Sequence, residues 1–238
     1  MNSKDLSLVL ATYNEETHLI DSIRRIIKAL KRSGLTYELI FVDDKSLDGT
    51  VSILESFQKK HPQWTYIYHT SNQGRGKSVS DGIMKASGKV VGYIDVDLEV
   101  SPIYIPELAN KILEGRADFV IGKRIYRTTL TSLVREVLSV GYQIISDWMI
   151  GTGRLDTESG YKFFDRKKIL PVVKKTIHPH WFWDTEVTVL AMRKGLKVVE
   201  EPVLFLRRFD KESTVNIFQD TLDYLVSLWK FRNRLQKL

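Results

Sequence analysis

The chain has 238 residues, 43% hydrophobic and 27% charged, the balance of a soluble globular protein able to bury roughly 70% of its unfolded surface. Cysteine is absent, which excludes a disulfide framework, thiolate zinc sites and cysteine nucleophiles. A net charge of +7 and a pI near 9.4 point to a polyanionic partner: nucleic acid, an acidic membrane surface or a phosphate-rich substrate.

The first half alternates between two periodicities. Leu6–Ala11 (LSLVLA) reads as a strand. Glu15–Ser33 follows as a helix, with Leu19, Ile20, Ile23, Ile26, Ile27 and Leu30 at helical spacing and Gly34 closing it. Tyr37–Val42 is a second strand, and Asp43–Thr50 a polar turn in which Ser46 or Asp48 caps a helix running through Ile53, Leu54 and Phe57. Tyr66–His69 is a strand, Lys77–Ser87 a helix, Val90–Asp95 a strand, Pro102–Glu114 a helix and Phe119–Gly122 a strand. Beyond it come a long helical pattern over Leu130–Ile150, strands at Tyr161–Phe164 and Val198–Leu206, a helix at Asp184–Lys194, and a last helix from Ile217 to Leu238. Such alternation predicts βαβ units, a mostly parallel sheet with both faces covered, and ligands at the carboxyl ends of its strands. No repeat or Pro/Gly-rich linker interrupts the chain, so it reads as one domain over 1–216 with a helical tail over 217–238. Val137–Ser146, the most apolar uncharged stretch, is far shorter than the roughly 20 residues that cross a bilayer. Lys4 and Asp5 followed by a strand do not make a signal peptide, so the expected home is the cytoplasm.

The polar motifs cluster at strand ends: Thr12-Tyr13-Asn14-Glu15, Asp43-Asp44 and Asp95-Val96-Asp97. In an extended segment Asp95, Asp97 and Glu99 fall on one side, where three carboxylates repel unless a cation sits among them. Mg²⁺ or Mn²⁺ suits such hard oxygen donors, and a solvated acidic loop is the plain alternative. Asn72-Gln73-Gly74-Arg75-Gly76-Lys77-Ser78 places glycines and cations where a helix starts, a setting for phosphate. It is not a P-loop, because Ser71 stands where the first glycine is required, and the first βα turn has no glycine to make a dinucleotide fingerprint. No G-x-S-x-G elbow exists, His178-Pro179-His180 reads as a loop, and core packing is the default for Trp181-Phe182-Trp183.

In their joint order these motifs, with Ile121-Gly122-Lys123-Arg124, Asp156 and Ser159-Gly160-Tyr161-Lys162, Asp184-Thr185-Glu186, Glu201-Pro202-Val203, and Arg208 with Ser213, resemble the inverting family-2 glycosyltransferases of GT-A fold. Within them the nearest likeness is to the dolichyl-phosphate mannose synthase and polyprenyl-phosphate glycosyltransferase group. The resemblance implies a GT-A, Rossmann-like α/β sheet with helices on both faces and a C-terminal amphipathic helix. It implies transfer of mannose or glucose from GDP-mannose or UDP-glucose to a polyprenyl or dolichyl phosphate. Thr12, Tyr13, Asn14, Glu15, Asp43, Asp44, Lys77 and Asp95 would serve the donor, with Asp43 supporting its loop. Asp95, Asp97 and Glu99 would hold the metal, Mg²⁺ or Mn²⁺. Arg124, Arg135, Ser139 and Arg208 would receive the acceptor phosphate, and Asp97, Arg124 and Arg208 would carry the catalytic step. Lys123, Glu99 and the lack of a glycine before Ser213 depart from the usual pattern.

A phosphate monoester acceptor is mostly dianionic near neutral pH, its second pKa being about 6, and needs no general base. A sugar-hydroxyl acceptor, the rival within the family, needs one, for which Asp184 and Glu186 are the candidates. A lipid acceptor implies contact with the cytoplasmic face of a membrane or with a separate membrane subunit. The tail, with Phe218, Leu222, Leu225 and Trp229 on one stripe, Ile217, Tyr224, Leu228 and Phe231 beside it, and basic residues after them, suits either a headgroup layer or packing on the domain. Nucleic acid is not expected as a partner, because the basic residues are spread widely and no nucleic-acid-binding signature accompanies them.

Overall fold

The computed structural model describes residues 4–126, 141, 143–207 and 217–237. Seven strands form one sheet: β1 (Leu6–Thr12), β2 (Tyr37–Asp43), β3 (Thr65–Tyr68), β4 (Val90–Ile94), β5 (Phe119–Tyr126), β6 (Tyr161–Asp165) and β7 (Val198–Phe205), in the order β3-β2-β1-β4-β6-β5-β7. The pairs β1/β2, β1/β4, β2/β3 and β5/β7 are parallel, whereas β6 runs antiparallel to both β4 and β5. The helices are α1 (Leu19–Ser33), α2 (Thr50–Lys60), α3 (Arg75–Lys85), α4 (Ile105–Leu113), α5 (143–150), α6 (Arg166–Val173), α7 (Trp183–Arg193) and α8 (Ile217–Leu235).

Alternation along β1 sends Leu6, Leu8 and Leu10 into one apolar layer and Val9 into the other. The first layer packs Leu19, Ile23, Ile26 and Leu30 of α1 with Ile105, Leu108 and Ile112 of α4. The second packs Val79 and Ile83 of α3, Ile169 and Val172 of α6, and Trp183, Val187 and Leu190 of α7. Both faces of the sheet are therefore dry, which is why its central strands are near-continuous apolar runs. Gly34 closes α1 at φ 73°, a left-handed conformation that Gly adopts without a Cβ penalty. Helix α7 is buried from Trp183 to Ala191 because α8 lies on its outer side: Leu228, Phe231 and Leu235 are buried in the second layer.

Several boundaries differ from those expected. Helix α1 starts at Leu19, because Glu15–His18 is spent in a turn in which His18 N and Leu19 N donate to the Glu15 carbonyl at 3.1 and 3.0 Å. Helix α3 starts two residues early at Arg75, and Pro102–Tyr104 forms a 3₁₀ turn before α4. Helix α6 was not foreseen: Pro171 lies inside its eight residues and masks the pattern, but Asp165 caps it by accepting from Lys168 N at 3.0 Å. Of the helix expected over Leu130–Ile150, residues 143–150 are helical and 127–140 lie outside the described residues. No helix among the described residues is long and apolar enough to cross a membrane.

Candidate active site

The pairing Thr12↔Asp43↔Tyr68 aligns the carboxyl ends of β1, β2 and β3 at one rim. There Asp43 faces back into the protein. Its carboxylate accepts Ser46 N at 3.0 Å, Ser46 Oγ at 2.5 Å and Thr12 Oγ1 at 3.3 Å, which tightens the loop after β2. Asn14, held at φ 54°, accepts Leu47 N on Oδ1 at 2.8 Å, while its own N–H donates to Ser46 Oγ at 3.0 Å. Glu15 N donates to Thr50 Oγ1, and Tyr13 is exposed on the same rim. Asp44 is more heavily engaged. Its Oδ1 receives Gln73 N at 2.8 Å and faces His69 Nδ1 at 2.8 Å, and its Oδ2 receives Gly74 N at 2.7 Å. His69 spans to Asp81 through Nε2 at 3.2 Å, and Lys77 pairs with the same Asp81 one turn along α3. His69 carries no motif in the sequence; only the pairing of β3 with β2 reveals it.

At the end of β4 the expected trio is not gathered. Among the described residues no three Asp, Glu, His or Cys converge as a metal-binding group. The reason is the backbone: β4 stops at Ile94, Leu98 turns left-handed at φ 54°, and Leu98 N donates to the Asp95 carbonyl at 3.3 Å. This turn ends the alternation that would have put Asp95, Asp97 and Glu99 on one side. Asp97 Oδ1 accepts Glu99 N at 3.2 Å, and the Glu99 carbonyl accepts Leu206 N at 2.8 Å, drawing Glu99 toward β7. Two carboxylates on one tight turn still make a hard-oxygen donor set, and Mg²⁺ typically takes one or two carboxylates and completes its shell with water and substrate phosphates. Gly160 leaves the space in which the Asp95 carboxylate sits, since a Cβ there would overlap Oδ2. Asp95 and Asp97 are therefore the residues that could hold a divalent ion here, as a two-carboxylate donor set.

Beneath this turn lies a buried charge network. Asp184, 1% exposed in the first turn of α7, accepts the Tyr93 hydroxyl and Lys162 Nζ (3.0 Å) on Oδ1 and Arg75 Nη1 (2.6 Å) on Oδ2. Lys162 is fully buried on β6 and also donates to the carbonyls of Thr157, at 2.9 Å, and Ser159. Arg75 then reaches Asp95 Oδ1 with Nε at 2.9 Å and Nη2 at 2.6 Å. Burial works against the Arg75 charge, and the Asp184 and Asp95 carboxylates more than offset it. Burial raises the Tyr93 phenol well above its usual value, with Asp184 adding to the rise, so it serves Asp184 as a hydrogen-bond donor. Trp181 is exposed under the guanidinium of Arg75, 4.9 Å from its ring centre, whereas Phe182 and Trp183 are core.

Glu186 is equally committed. Buried, it accepts Ile177 N and His178 N at about 3 Å and pairs with Arg234 of α8 at 2.5 Å. Neither Asp184 nor Glu186 is placed as the general base that a hydroxyl acceptor would need, because each carboxylate is buried and fully engaged with fixed donors.

Arg124, expected at the acceptor phosphate, leaves β5 as part of a pair. Its N–H, Nε and Nη2 all bond to Asp156, at 3.0, 2.9 and 2.7 Å. Asp156 is itself fixed through its N–H to Glu200 Oε1 at 2.6 Å, and Glu200 also meets Lys123 at 2.8 Å. Beside Arg124, at 3.9 Å, stands Glu158, whose side chain is 40% exposed. Desolvation pushes its carboxyl up to about 7 against the pull of Arg124, with Asp156 and Asp184 adding to the rise. Glu158 was not singled out by the sequence, where it is one acidic residue inside Asp156–Ser159. Arg135, Ser139 and Arg208 lie outside the described residues.

A family model described as Glycosyl transferase family 2 matches residues 7–183. A dolichyl-phosphate beta-glucosyltransferase of Trichomonas vaginalis is 25% identical over 96% of this chain and 76% of its own length. One of Dictyostelium discoideum is 26% identical over 96% of this chain and 77% of its own. Among solved structures, glucosyl-3-phosphoglycerate synthase from Mycobacterium tuberculosis, in complex with Mn²⁺ and UDP-glucose, superposes with a TM-score of 0.69 at 20% identity, covering 94% of this chain and 79% of that one. That likeness is one of fold, a mostly parallel α/β sheet with helices. With three-quarters of its length under the family model and the motif-bearing loops brought to one rim, this chain belongs to glycosyl transferase family 2 and is a glycosyltransferase of GT-A fold.

Proposed function

We propose that the enzyme transfers glucose from UDP-glucose to a dolichyl or other polyprenyl phosphate, with Mg²⁺ or Mn²⁺ at Asp95 and Asp97. The observation that carries the acceptor class is the burial and saturation of Asp184 and Glu186. A site with its inward carboxylates so committed suits a nucleophile that arrives ionised, as a phosphate dianion does. The relatives named as dolichyl-phosphate beta-glucosyltransferases support the same acceptor and sugar.

For the base, uracil is supported by the neighbouring enzyme crystallised with UDP-glucose. Asp44, whose carboxylate meets His69, Gln73 N and Gly74 N, is the acidic group assigned to it.

In this reading Asp43, Asn14 and Ser46 hold the donor loop, and Asp44 orients the base. A bound divalent ion supplies charge stabilisation to the departing diphosphate. Arg124, held by Asp156, is the described cation assigned to the acceptor phosphate, and Arg135, Ser139 and Arg208 are assigned to the same phosphate from the sequence alone. The exposed faces of α5 and α8 carry Trp148 (79% exposed), Trp229 (58%), Ile144, Ile145 and Val226, with Arg232 over the Trp148 ring at 5.8 Å. Aromatic and basic groups on one face suit the headgroup layer in which a lipid phosphate sits.

The test is a transfer assay with labelled UDP-glucose and GDP-mannose in parallel, detergent-dispersed polyprenyl phosphate, and Mn²⁺ against EDTA. Label in the organic phase from UDP-glucose, lost with EDTA, is expected. Product from GDP-mannose alone overturns the base assignment, and no lipid product from either overturns the acceptor. Glu158 favours a second reading, a sugar-hydroxyl acceptor, because its raised carboxyl beside Arg124 could take a proton. Under that reading Glu158→Gln abolishes turnover and removes an inflection near neutral pH; under the lipid-phosphate reading the variant stays active.

A further inference from the structure

We propose that Asp184 is a positioning residue: through Arg75 it holds the Asp95 carboxylate in the pose that receives the divalent ion. The proposal rests on the metal-dependent reading above. Asp184 comes from α7, Arg75 from the first residue of α3 and Asp95 from the loop after β4, so three separate elements meet in one chain of ion pairs. The guanidinium divides its edges between two carboxylates, Nη1 on Asp184 and Nε with Nη2 on Asp95 Oδ1. Only a planar fork can bridge in this way. Its plane is further held by Trp181 and Tyr93, whose ring centres lie 4.9 and 5.5 Å from the guanidinium carbon.

With Oδ1 of Asp95 taken by Arg75, Oδ2 settles over Gly160, where a side chain would exclude it. The carboxylate is thereby limited to one orientation before any ion arrives. Charge acts in the same direction. Asp184 offsets Arg75 and Lys162; without it, two buried cations would flank the place where a third must bind. Asp184 itself cannot reach an acceptor, being 1% exposed and fully engaged.

The probe is Mn²⁺, with and without UDP, titrated against the purified full chain and read from the free-ion paramagnetic resonance signal. Asp184→Asn and Arg75→Lys are each expected to weaken Mn²⁺ binding by about 10- to 100-fold, the usual effect of losing a partner that orients a metal ligand. Arg75→Lys keeps the charge and loses only the fork, and it decides the question if Asp184→Asn does not fold. The double variant should bind no more weakly than Asp184→Asn alone, because both changes cut the same link. Tyr93→Phe, which leaves both ion pairs in place, should bind like the parent. Residual transfer by Asp184→Asn should keep the parent's pH profile.

Parent-like Mn²⁺ affinity in both single variants, additive losses, or loss of the acidic limb of the pH profile in Asp184→Asn would each overturn the assignment. A parent chain that binds no Mn²⁺ even with UDP overturns the metal reading itself, a separate failure.

Discussion

Replacing Asp156 by Ala tests whether the Arg124 pair is a built part of the site. Three charge-assisted bonds from Arg124 converge on this one carboxylate, which is 4% exposed. Removing one partner of such a pair strands the other, at a cost of about 3–5 kcal/mol. For a chain of this size each kcal/mol lowers the Tm by roughly 2–4 °C, so a fall of about 6–20 °C is expected. Removing both charges together, in Arg124→Met with Asp156→Asn, should cost less than Asp156→Ala alone, since no charge is left stranded.

The pH dependence gives a second reading of the same pair. Burial works to raise the Asp156 carboxyl, and Arg124 more than offsets it, so its folded value lies below the ordinary carboxylate value of about 3.9. The unfolded chain therefore takes up the proton first. The stabilisation is complete above the unfolded value and fades as pH falls through the folded one. Urea unfolding at pH 7 and across the acid range measures both effects. Asp156→Asn should lose this part of the acid sensitivity. The reasoning is refuted if Asp156→Ala unfolds within about 0.5 kcal/mol of the parent at pH 7, the range of an ordinary surface change.

Two further substitutions separate packing from function. Gly76→Ala would drive a methyl onto Trp183 Cβ and to 2.7 Å from the His180 carbonyl oxygen, neither of which can rotate away, so helix α3 must retreat and take Arg75 with it. A cost of about 1–3 kcal/mol and a marked loss of transfer are expected. Gly34→Ala, at φ 73° with open space around it, should cost about 1–2 kcal/mol from backbone strain while leaving transfer per folded molecule unchanged. Parent-like activity in Gly76→Ala would show that the close approach of α3 to the 179–183 loop does not matter to the site. Glu186→Ala takes the acceptor from the Ile177 and His178 N–H groups and the counter-charge from Arg234, so the end of α8 should exchange amide hydrogen faster and yield sooner to trypsin. Unchanged protection there would mean that α8 is held by its apolar residues alone.

What the sequence determined by itself is whatever local periodicity and motif order encode. The alternation in Leu6–Thr12, the 3.6-residue spacing of Leu19, Ile23, Ile26 and Leu30, and the acidic motifs after β1, β2 and β4 announce a parallel α/β sheet with its polar loops on one rim. The ordered motifs were enough for the family. The tertiary structure alone decided which charges meet. Lys162 lies at an apolar-looking strand position and proves to be a buried cation because Asp184, 22 residues away, is delivered opposite it. Arg75 joins Asp95 to Asp184 across 20 and 109 residues, and His69 finds Asp44 only because β3 pairs with β2. The same holds where expectation and structure part. Strand alternation places Asp95, Asp97 and Glu99 together, but a left-handed Leu98, held in a turn and by β7, separates them. The direction of β6 is a further case: an apolar run reads alike in either sense, and its antiparallel fit depends on Gly92 leaving room for Phe163 across the pair. Periodicity records how each segment faces the core, whereas the site is made of pairings between segments, which exist only once the chain has closed on itself.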